Sequence, residues 1–231
     1  MPVKKRGEYA EKGDYHRHLD PKWPYLPVYL TKIEKLRELI NAAGSRKKII
    51  DLGCGEGVLV KEFADKGFNI VGIDLNYQSK YVRRGNILKL NLPQKKFDLI
   101  LCLDVLEHLN FFDQKKAIEQ IDKVLRPGGK VILSVPNLAH LASRFAFFFL
   151  GRLLRTSTID RHPGDRPLSE FLSLLKEKFK DIKVVGLFPT LPLISIATIL
   201  FPAKVVWWHR FYNRFFAWPT ICFENIIIAR K

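Results

Sequence analysis

The sequence is poor in cysteine and has no clustered histidines. Its three cysteines, Cys54, Cys102 and Cys222, are widely spaced and form no C-x-x-C pair. An odd number at such spacing argues against a disulfide framework and against a zinc site, so we expect buried thiols in a reducing compartment. The six histidines form no H-x-x-x-H motif, and we predict no metal site.

Acidic residues are also scarce. The chain has 23 Asp and Glu against 39 Lys and Arg, a formal net charge of +16. This charge predicts attraction to polyanions, which include nucleic acid, an anionic membrane surface and phosphorylated substrates. A solvated, lysine-rich surface is the alternative, and the charge alone does not separate them.

Apolar segments suited to secretion or to crossing a bilayer are missing too. The residues behind the basic stretch 4–6 are polar, so we predict no signal peptide and a cytoplasmic location. The apolar region that starts at Leu187 is broken by Pro189, Pro192 and Pro202. Its uninterrupted run is shorter than the roughly 20 residues of a spanning helix, so we expect no membrane crossing.

The composition indicates a folded protein, and the apolar pattern indicates alternating strands and helices. With 231 residues, 47% hydrophobic and 27% charged, the chain can bury a substantial core. Strands are predicted near 48–53, 70–74, 81–85, 97–104, 130–135, 181–188 and 222–229, and helices near 30–43, 57–66, 114–125 and 167–179. The strands are apolar on both faces, which indicates a parallel sheet covered by helices on both sides.

The most informative motif is the heptad 51–57, Asp-Leu-Gly-Cys-Gly-Glu-Gly, at the end of the first strand. Its glycines permit unusual dihedrals and let a ligand lie against the backbone. The dinucleotide fingerprint would need glycine at the position of Val58. Asp74 ends the second strand, where an acid accepts hydrogen bonds from ribose hydroxyls. A nucleoside-like ligand is therefore predicted at the carboxyl edge of the sheet.

Further motifs follow in order along the chain. Residues 85–87 read Gly-Asn-Ile, 106–108 read Leu-Glu-His after the fourth strand, and 126–129 read Arg-Pro-Gly-Gly before the fifth. The series over 45–137 resembles the class I S-adenosylmethionine (SAM)-dependent methyltransferases, in particular the type 11-like branch that includes quinone-biosynthesis O-methyltransferases. The resemblance implies a Rossmann-like, doubly wound, seven-stranded, mostly parallel sheet with the last strand antiparallel, in a three-layer α/β/α arrangement.

The resemblance also implies a division of the chain. We expect a single domain over 1–231, with an N-terminal strap and helix (1–44), a SAM-binding core (45–137), substrate-side loops with a hydrophobic insertion (138–219) and a last strand (220–231).

SAM is the cofactor that the resemblance implies. The implied cofactor-binding residues are Asp51, Gly53, Cys54, Gly55, Asp74, Leu75, Asn86, Ile87, Leu103 and Asp104. The glycine turn would lie against the methionine part, with Asp51 orienting the turn and Asp74 on the ribose. Leu75 would flank the adenine, and the pair at 103–104 would line the base of the site beneath the sulfonium. Asn86 departs from the acid usual in the family, since its amide brings no charge to the adenine edge.

Candidate acceptor-side residues lie outside these motifs. A general base is needed only where the acceptor keeps its proton, and His108 and His162 are the candidates because histidine titrates near neutrality. For His108, the alternative that the resemblance implies is a packing role or a contact with SAM. Phosphate or sugar hydroxyls could be bound by Asp160, Arg161 and Arg166, or these could form a salt-bridged surface loop.

Residues before the first helix could close the pocket over the cofactor. They are Tyr15, His16 and Trp23. A purely structural strap is the alternative.

Two apolar, cationic segments do not fit a minimal methyltransferase. Residues 138–159 contain three arginines and no acid, and 190–219 contain Lys204, Arg210 and Arg214 and no acid. Aromatic side chains rimmed by cations suit the headgroup region of an anionic membrane. A lid that buries the aromatics over the active site is the alternative.

The leading hypothesis is SAM-dependent methyl transfer, at oxygen, to a small or lipid-linked acceptor such as a glycolipid or quinone precursor, with peripheral association at the cytoplasmic membrane face. The alternatives are an RNA methyltransferase and a catalytically silent scaffold of the same fold. The chain has Asp-Val-Leu-Glu at 104–107 in place of an N-P-P-Y tetrad, so nucleic acid is the less expected partner. The intact glycine turn argues against the scaffold.

Overall fold

The computed structural model describes residues 19–155 and 157–231. In chain order, the strands are β1 (Ile49–Leu52), β2 (Ile70–Asp74), β3 (Val82–Arg84), β4 (Phe97–Leu103), β5 (Leu125–Pro136), β6 (Lys180–Pro189) and β7 (Cys222–Arg230). The helices are α1 (Leu26–Ala43), α2 (Val58–Asp65), α3 (Phe111–Val124), α4 (Leu141–Leu150), α5 (Leu168–Lys176), α6 (Pro192–Leu200) and α7 (Val206–Phe216). A 3₁₀ turn covers Leu106–His108.

The seven strands form one sheet in the order β3-β2-β1-β4-β5-β7-β6. Neighbouring strands from β3 to β5 pair in parallel, and β7 is antiparallel to both β5 and β6. The predicted seven-stranded, mostly parallel sheet with its last strand antiparallel is confirmed. The order starts at β1 and winds to both sides, so a crevice opens at the carboxyl ends of β1 and β4, where such sheets bind ligands.

Burial on both faces of the sheet follows from the side-chain alternation of β4. Ile100 and Cys102 face a core shared with α3 and α5, and Leu99 and Leu101 face a second core shared with α1 and α2. The predicted cover of helices on both sides is therefore confirmed. Of the cysteines, Cys102 and Cys222 are buried free thiols and Cys54 is half-buried.

Several boundaries differ from the sequence-based expectation. Helix α1 begins at Leu26, four residues before the predicted start, and β5 already begins at Leu125. The segments predicted only as apolar insertions form α4, α6 and α7. In the part of the chain that the structure describes, none of the helices has the length and apolar character needed to span a bilayer.

Candidate active site

The glycine turn connects β1 to α2. Gly53, Gly55 and Gly57 have φ of +79°, +57° and +76°, a region that other residues rarely adopt. A Cβ on Gly53 would lie 2.4 Å from Cγ2 of Val105. The turn therefore has no side chains at its three glycines, and Val105 packs tightly against it. A ligand can lie directly against such a main chain.

Asp74 fixes the shape of this turn. Its Oδ2 accepts a hydrogen bond from Gly55 N at 2.9 Å, and its Oδ1 accepts from Asn76 N at 2.7 Å and Tyr77 N at 3.2 Å. We predicted this orienting role for Asp51, and the structure gives it to Asp74. The predicted contact of Asp74 with the ribose hydroxyls stays a prediction.

Asp51 lies buried beside the turn. Its Oδ1 has no hydrogen-bond partner among the described residues. Burial, together with the nearby charge of Asp74, raises the pKa of Asp51 to about 7. With Gly53, Cys54 and Leu103 it lines a small cavity of about 80 Å³. An orphaned carboxylate oxygen at this place fits an ammonium group such as that of the methionine part of SAM.

The predicted adenine-side residues lie outside this small cavity. Leu75 is 44% exposed, and Ile87 packs partly against the core. Asn86 is exposed, and its Oδ1 accepts from Leu88 N at 2.9 Å. The Asn86 amide therefore stabilises its own turn, and the adenine contacts of these three residues stay predictions.

Asp104 connects the small cavity to a much larger one. Of the described residues that line either space, Asp104 alone lines both the cavity of about 80 Å³ and one of about 540 Å³. Its φ is +53°, and its N donates to Ser134 Oγ at 3.0 Å. The cofactor side and the larger cavity thus meet at one carboxylate, directly after β4.

A buried lysine neutralises part of this charge. Lys32 of α1 is 2% exposed, and its Nζ donates to the Asp104 carboxylate and, at 2.7 Å, to Tyr25 Oη. Tyr25 Oη in turn donates to Glu224 Oε2 at 2.9 Å. Burial opposes charge on Lys32, but Asp104 and Glu224 outweigh it and raise the lysine pKa.

Lys32, Tyr25 and Glu224 were not predicted as site residues from the sequence. One signal was available: Lys32 stands four residues after Val28 and four before Leu36, on the buried stripe of α1. A charged residue within an apolar helical stripe indicates a buried partner. Glu224 carried no comparable local signal.

Three predicted acceptor-side residues come together in the large cavity: Trp23, His108 and His162. The two histidine rings meet edge to face at 4.6 Å. His108 Nδ1 lies 3.0 Å from the carbonyl oxygen of Arg161. Because a carbonyl only accepts, Nδ1 carries a proton. Their predicted catalytic roles stay predictions.

The other predicted acceptor-side residues do not line this cavity. Asp160 is exposed, and the Arg166 guanidinium lies 4.1 Å from the centre of the Phe111 ring. Arg161 supports His108 through its backbone. Tyr15 and His16 lie outside the described residues. Within the described ranges, no group of three or more His, Cys, Asp or Glu side chains could hold a metal ion.

Comparison with known proteins agrees with this geometry. The sequence pattern of a family described as "Methyltransferase domain" matches residues 23–156. The ubiquinone biosynthesis O-methyltransferase of Pseudomonas aeruginosa (strain UCBPP-PA14) is 28% identical over 192 residues, 74% of this chain and 82% of that protein. Its counterpart from Stutzerimonas stutzeri is 30% identical over 175 residues, 66% of this chain and 73% of that protein.

Solved structures share the fold. A SAM-dependent methyltransferase from Archaeoglobus fulgidus aligns with a TM-score of 0.58 and 19% identity, over 88% of this chain and 94% of that one. Phosphoethanolamine N-methyltransferase 2 of Haemonchus contortus, crystallised with SAM, aligns with a TM-score of 0.56 and 16% identity, over 86% of this chain and 52% of that one.

The fold and site define a class I SAM-dependent methyltransferase. The chain belongs to the methyltransferase-domain family, and its cofactor is SAM. The predicted class, cofactor and enzymatic activity are thereby confirmed.

Proposed function

We propose that this enzyme methylates an oxygen on an amphiphilic, lipid-linked acceptor of the quinone-precursor kind, at the surface of an anionic membrane. The observation that carries the proposal is the position of the large cavity: it reaches Asp104 at one end and is flanked by α4 and α6, whose apolar side chains are exposed. The names of the curated relatives, ubiquinone biosynthesis O-methyltransferases, support the same acceptor class.

The cavity suits a ring with polar substituents. At about 540 Å³ it is within the range of small-molecule pockets. Its aromatic walls include Trp23, Tyr25, Phe188 and Phe223, and the Oγ of Ser195, buried without a partner among the described residues, also lines it. Apolar walls with a few polar groups bind and orient such acceptors.

Methyl transfer depends mainly on how the enzyme positions SAM and the acceptor. When bound, SAM supplies an electrophilic methyl group. The glycine turn and Asp51 would hold its methionine part, and Asp104, fixed by Lys32, would place a negative charge beneath the sulfonium. The aromatic walls would exclude water and hold the acceptor in line, which is the larger part of catalysis in such a transfer.

The exposed apolar side chains of α4, α6 and α7, here called the apolar helix surface, are the proposed membrane contact. Its most exposed members include Phe147, Phe148, Leu193, Ile199, Trp207 and Phe211, each at least 54% exposed. Large exposed apolar patches are uncommon on proteins that meet only water. Helix α7 keeps its other face on the protein, where Tyr212 Oη donates to Pro189 O at 3.1 Å.

Charge favours an anionic bilayer as the occupant of this surface. Residues 138–159 and 190–219 contain cations and no acid. Among the cations, Arg152, Lys204 and Arg214 are exposed, and Arg210 pairs with Glu34 at 3.2 Å. Aromatic side chains beside basic residues suit the interface of anionic lipids.

The mouth of the cavity opens on the same surface. Ile199 lines the cavity and is 61% exposed, and Leu154 lines it and is 38% exposed. An acceptor could keep its hydrocarbon tail in the bilayer while its ring occupies the cavity. This arrangement makes the bilayer the source of the substrate.

The test combines binding with turnover. We expect co-sedimentation with vesicles of anionic lipid, weaker binding to zwitterionic vesicles, and methyl transfer from labelled SAM to prenylated phenols supplied in those vesicles. Lys204→Glu with Arg214→Glu should weaken binding, whereas Lys123→Glu, an exposed charge reversal at the end of α3, should weaken it less. Equal effects of the two charge reversals, or methylation only of RNA, would contradict the proposal.

A further inference from the structure

Glu224 presents an unused carboxylate oxygen to the large cavity. The residue is 2% exposed, on β7. Its Oε2 accepts from Tyr25, while its Oε1 is buried and has no partner within the described part of the chain. Because an unpaired buried oxygen is costly, a group in the cavity that brings a hydrogen to Oε1 would be stabilised there.

Several ionisable groups face Glu224. They are Lys32 and Tyr25 from the N-terminal side, Asp104 after β4, and Glu107 in the 3₁₀ turn. If all the carboxyls were ionised, one lysine would face three carboxylates in a buried site. Net charge of this kind is expensive in a protein interior, so the cluster keeps protons at neutral pH.

The pKa shifts of the cluster agree with the excess of carboxyl groups over cations. Burial, opposed by Lys32 and reinforced by Asp104, raises the pKa of Glu224 to about 8. Burial also raises the pKa of Glu107 well above its usual range. His140, another residue of the cavity wall, stays neutral because burial lowers its pKa to about 4.

We propose that Glu224 accepts the proton of the acceptor's hydroxyl group. The positive charge of bound SAM prepares Glu224 for this role, because it favours the ionised carboxylate, and the proton that Glu224 held leaves the cluster around Asp104 for the solvent. This inference rests on the proposed oxygen acceptor. In the step, the acceptor O–H bond breaks and its proton passes to Oε1. The oxygen electron pair forms the bond to the methyl carbon, and the S–CH₃ pair stays on sulfur as a neutral thioether.

Asp104 is less suited to this task than Glu224. Asp104 accepts from Lys32 Nζ on Oδ2 and from Ser134 Oγ on Oδ1, so it serves as a fixed anion. Glu224 remains linked to the same lysine through Tyr25, and it therefore senses a charge that enters beside Asp104.

Calorimetry separates this inference from the proposed function. SAM and its demethylated product, S-adenosylhomocysteine, differ by one methyl group and one positive charge. Titrations of each at pH 7, in two buffers of different ionisation enthalpy, count the protons released on binding. We expect SAM to release more protons than the thioether, and Glu224→Gln to abolish that difference. Any proton that Asp51 releases is the same for both ligands, because both carry the same amino group. It therefore does not contribute to the difference between them.

The matched control is Glu119→Gln, an exposed carboxyl on α3, which should keep the wild-type difference. Equal proton release by the two ligands in the wild type would overturn the inference, and so would a wild-type difference retained by Glu224→Gln. Neither result would affect methyl transfer itself. Failure of SAM to bind the wild type would overturn the cofactor site and this inference with it.

Turnover gives a second measurement with phenols of decreasing pKa. Loss of a general base costs roughly 100-fold or more, so Glu224→Gln should lower kcat by about that factor for a simple phenol. For a nitro-substituted phenol, already ionised at neutral pH, the loss should fall below about tenfold. A loss that is the same for every phenol would overturn the role of Glu224 as proton acceptor.

Discussion

Replacing Lys32 with methionine tests the buried charge arrangement at the junction of the two cavities. Methionine nearly matches the lysine side chain in length and removes its charge and its two hydrogen bonds, to Asp104 and to Tyr25. The variant leaves the carboxylates of Asp104, Glu107 and Glu224 in a buried site without their cation.

The expected loss depends on pH. At an effective dielectric of 20, a pair of charges about 4 Å apart attracts by about 4 kcal/mol. The lysine's own burial cost is removed at the same time, so we expect the free energy of unfolding to fall by about 3 kcal/mol at pH 8. At pH 5 the carboxyls can take up protons and lose most of their negative charge, so the loss should shrink to about 1 kcal/mol.

Urea unfolding at pH 5 and pH 8, followed by circular dichroism, measures both values. The double variant Lys32→Met, Asp104→Asn should recover much of the loss at pH 8, because it removes the carboxylate that is hydrogen-bonded to Lys32. Lys123→Met, an exposed lysine on α3, is the control and should change little. The reasoning is refuted if Lys32→Met costs the same at both pH values, or if the double variant is no more stable than the single one.

Three further predictions concern the turn, the buried acid and the membrane contact. Gly53 has φ +79°, and an added Cβ would lie 2.4 Å from Val105. Gly53→Ala should therefore cost at least about 1–2 kcal/mol of stability and weaken SAM binding in calorimetry. Wild-type stability together with wild-type SAM affinity would contradict the role of the glycine turn as a binding surface for SAM. Without ligand, stability should fall as pH rises from about 5 through about 7, because folded Asp51 keeps a proton that the unfolded chain releases. Asp51→Asn should flatten that fall in urea titrations, and an unchanged slope would count against the raised pKa. Brominated anionic lipids should quench the fluorescence of Trp207 and Trp208, and quenching unaltered in Trp207→Phe, Trp208→Phe would place the contact elsewhere.

The sheet and the glycine turn could be predicted because their signals are local. Each strand is a short apolar run bounded by turn residues, and the turn at 53–57 needs positive φ, which Gly53, Gly55 and Gly57 supply. The order of motifs along 45–137 then fixed the family, and the family fixed the strand order. These features depend on neighbours in the sequence, so they are visible without a structure.

The charge cluster could not be predicted in the same way. Tyr25 and Glu224 are 199 residues apart and meet only because β7 inserts between β5 and β6. The contact of Asp74 with the glycine turn was not predicted either, since both acids lie at or near the ends of neighbouring strands and only the geometry shows which one accepts from Gly55. Helices α4 and α6 could not be predicted from the sequence, because their exposed faces are also apolar and the usual amphipathic pattern of a helix is absent.

The central claim is that cofactor and acceptor meet at Asp104, between the small and the large cavity. A crystal structure with bound SAM tests it most directly. We expect the amino group of SAM at the orphaned oxygen of Asp51 and the methyl group directed past Asp104 into the large cavity. A methyl group that points away from that cavity, or a cofactor bound elsewhere on the sheet, would contradict the account.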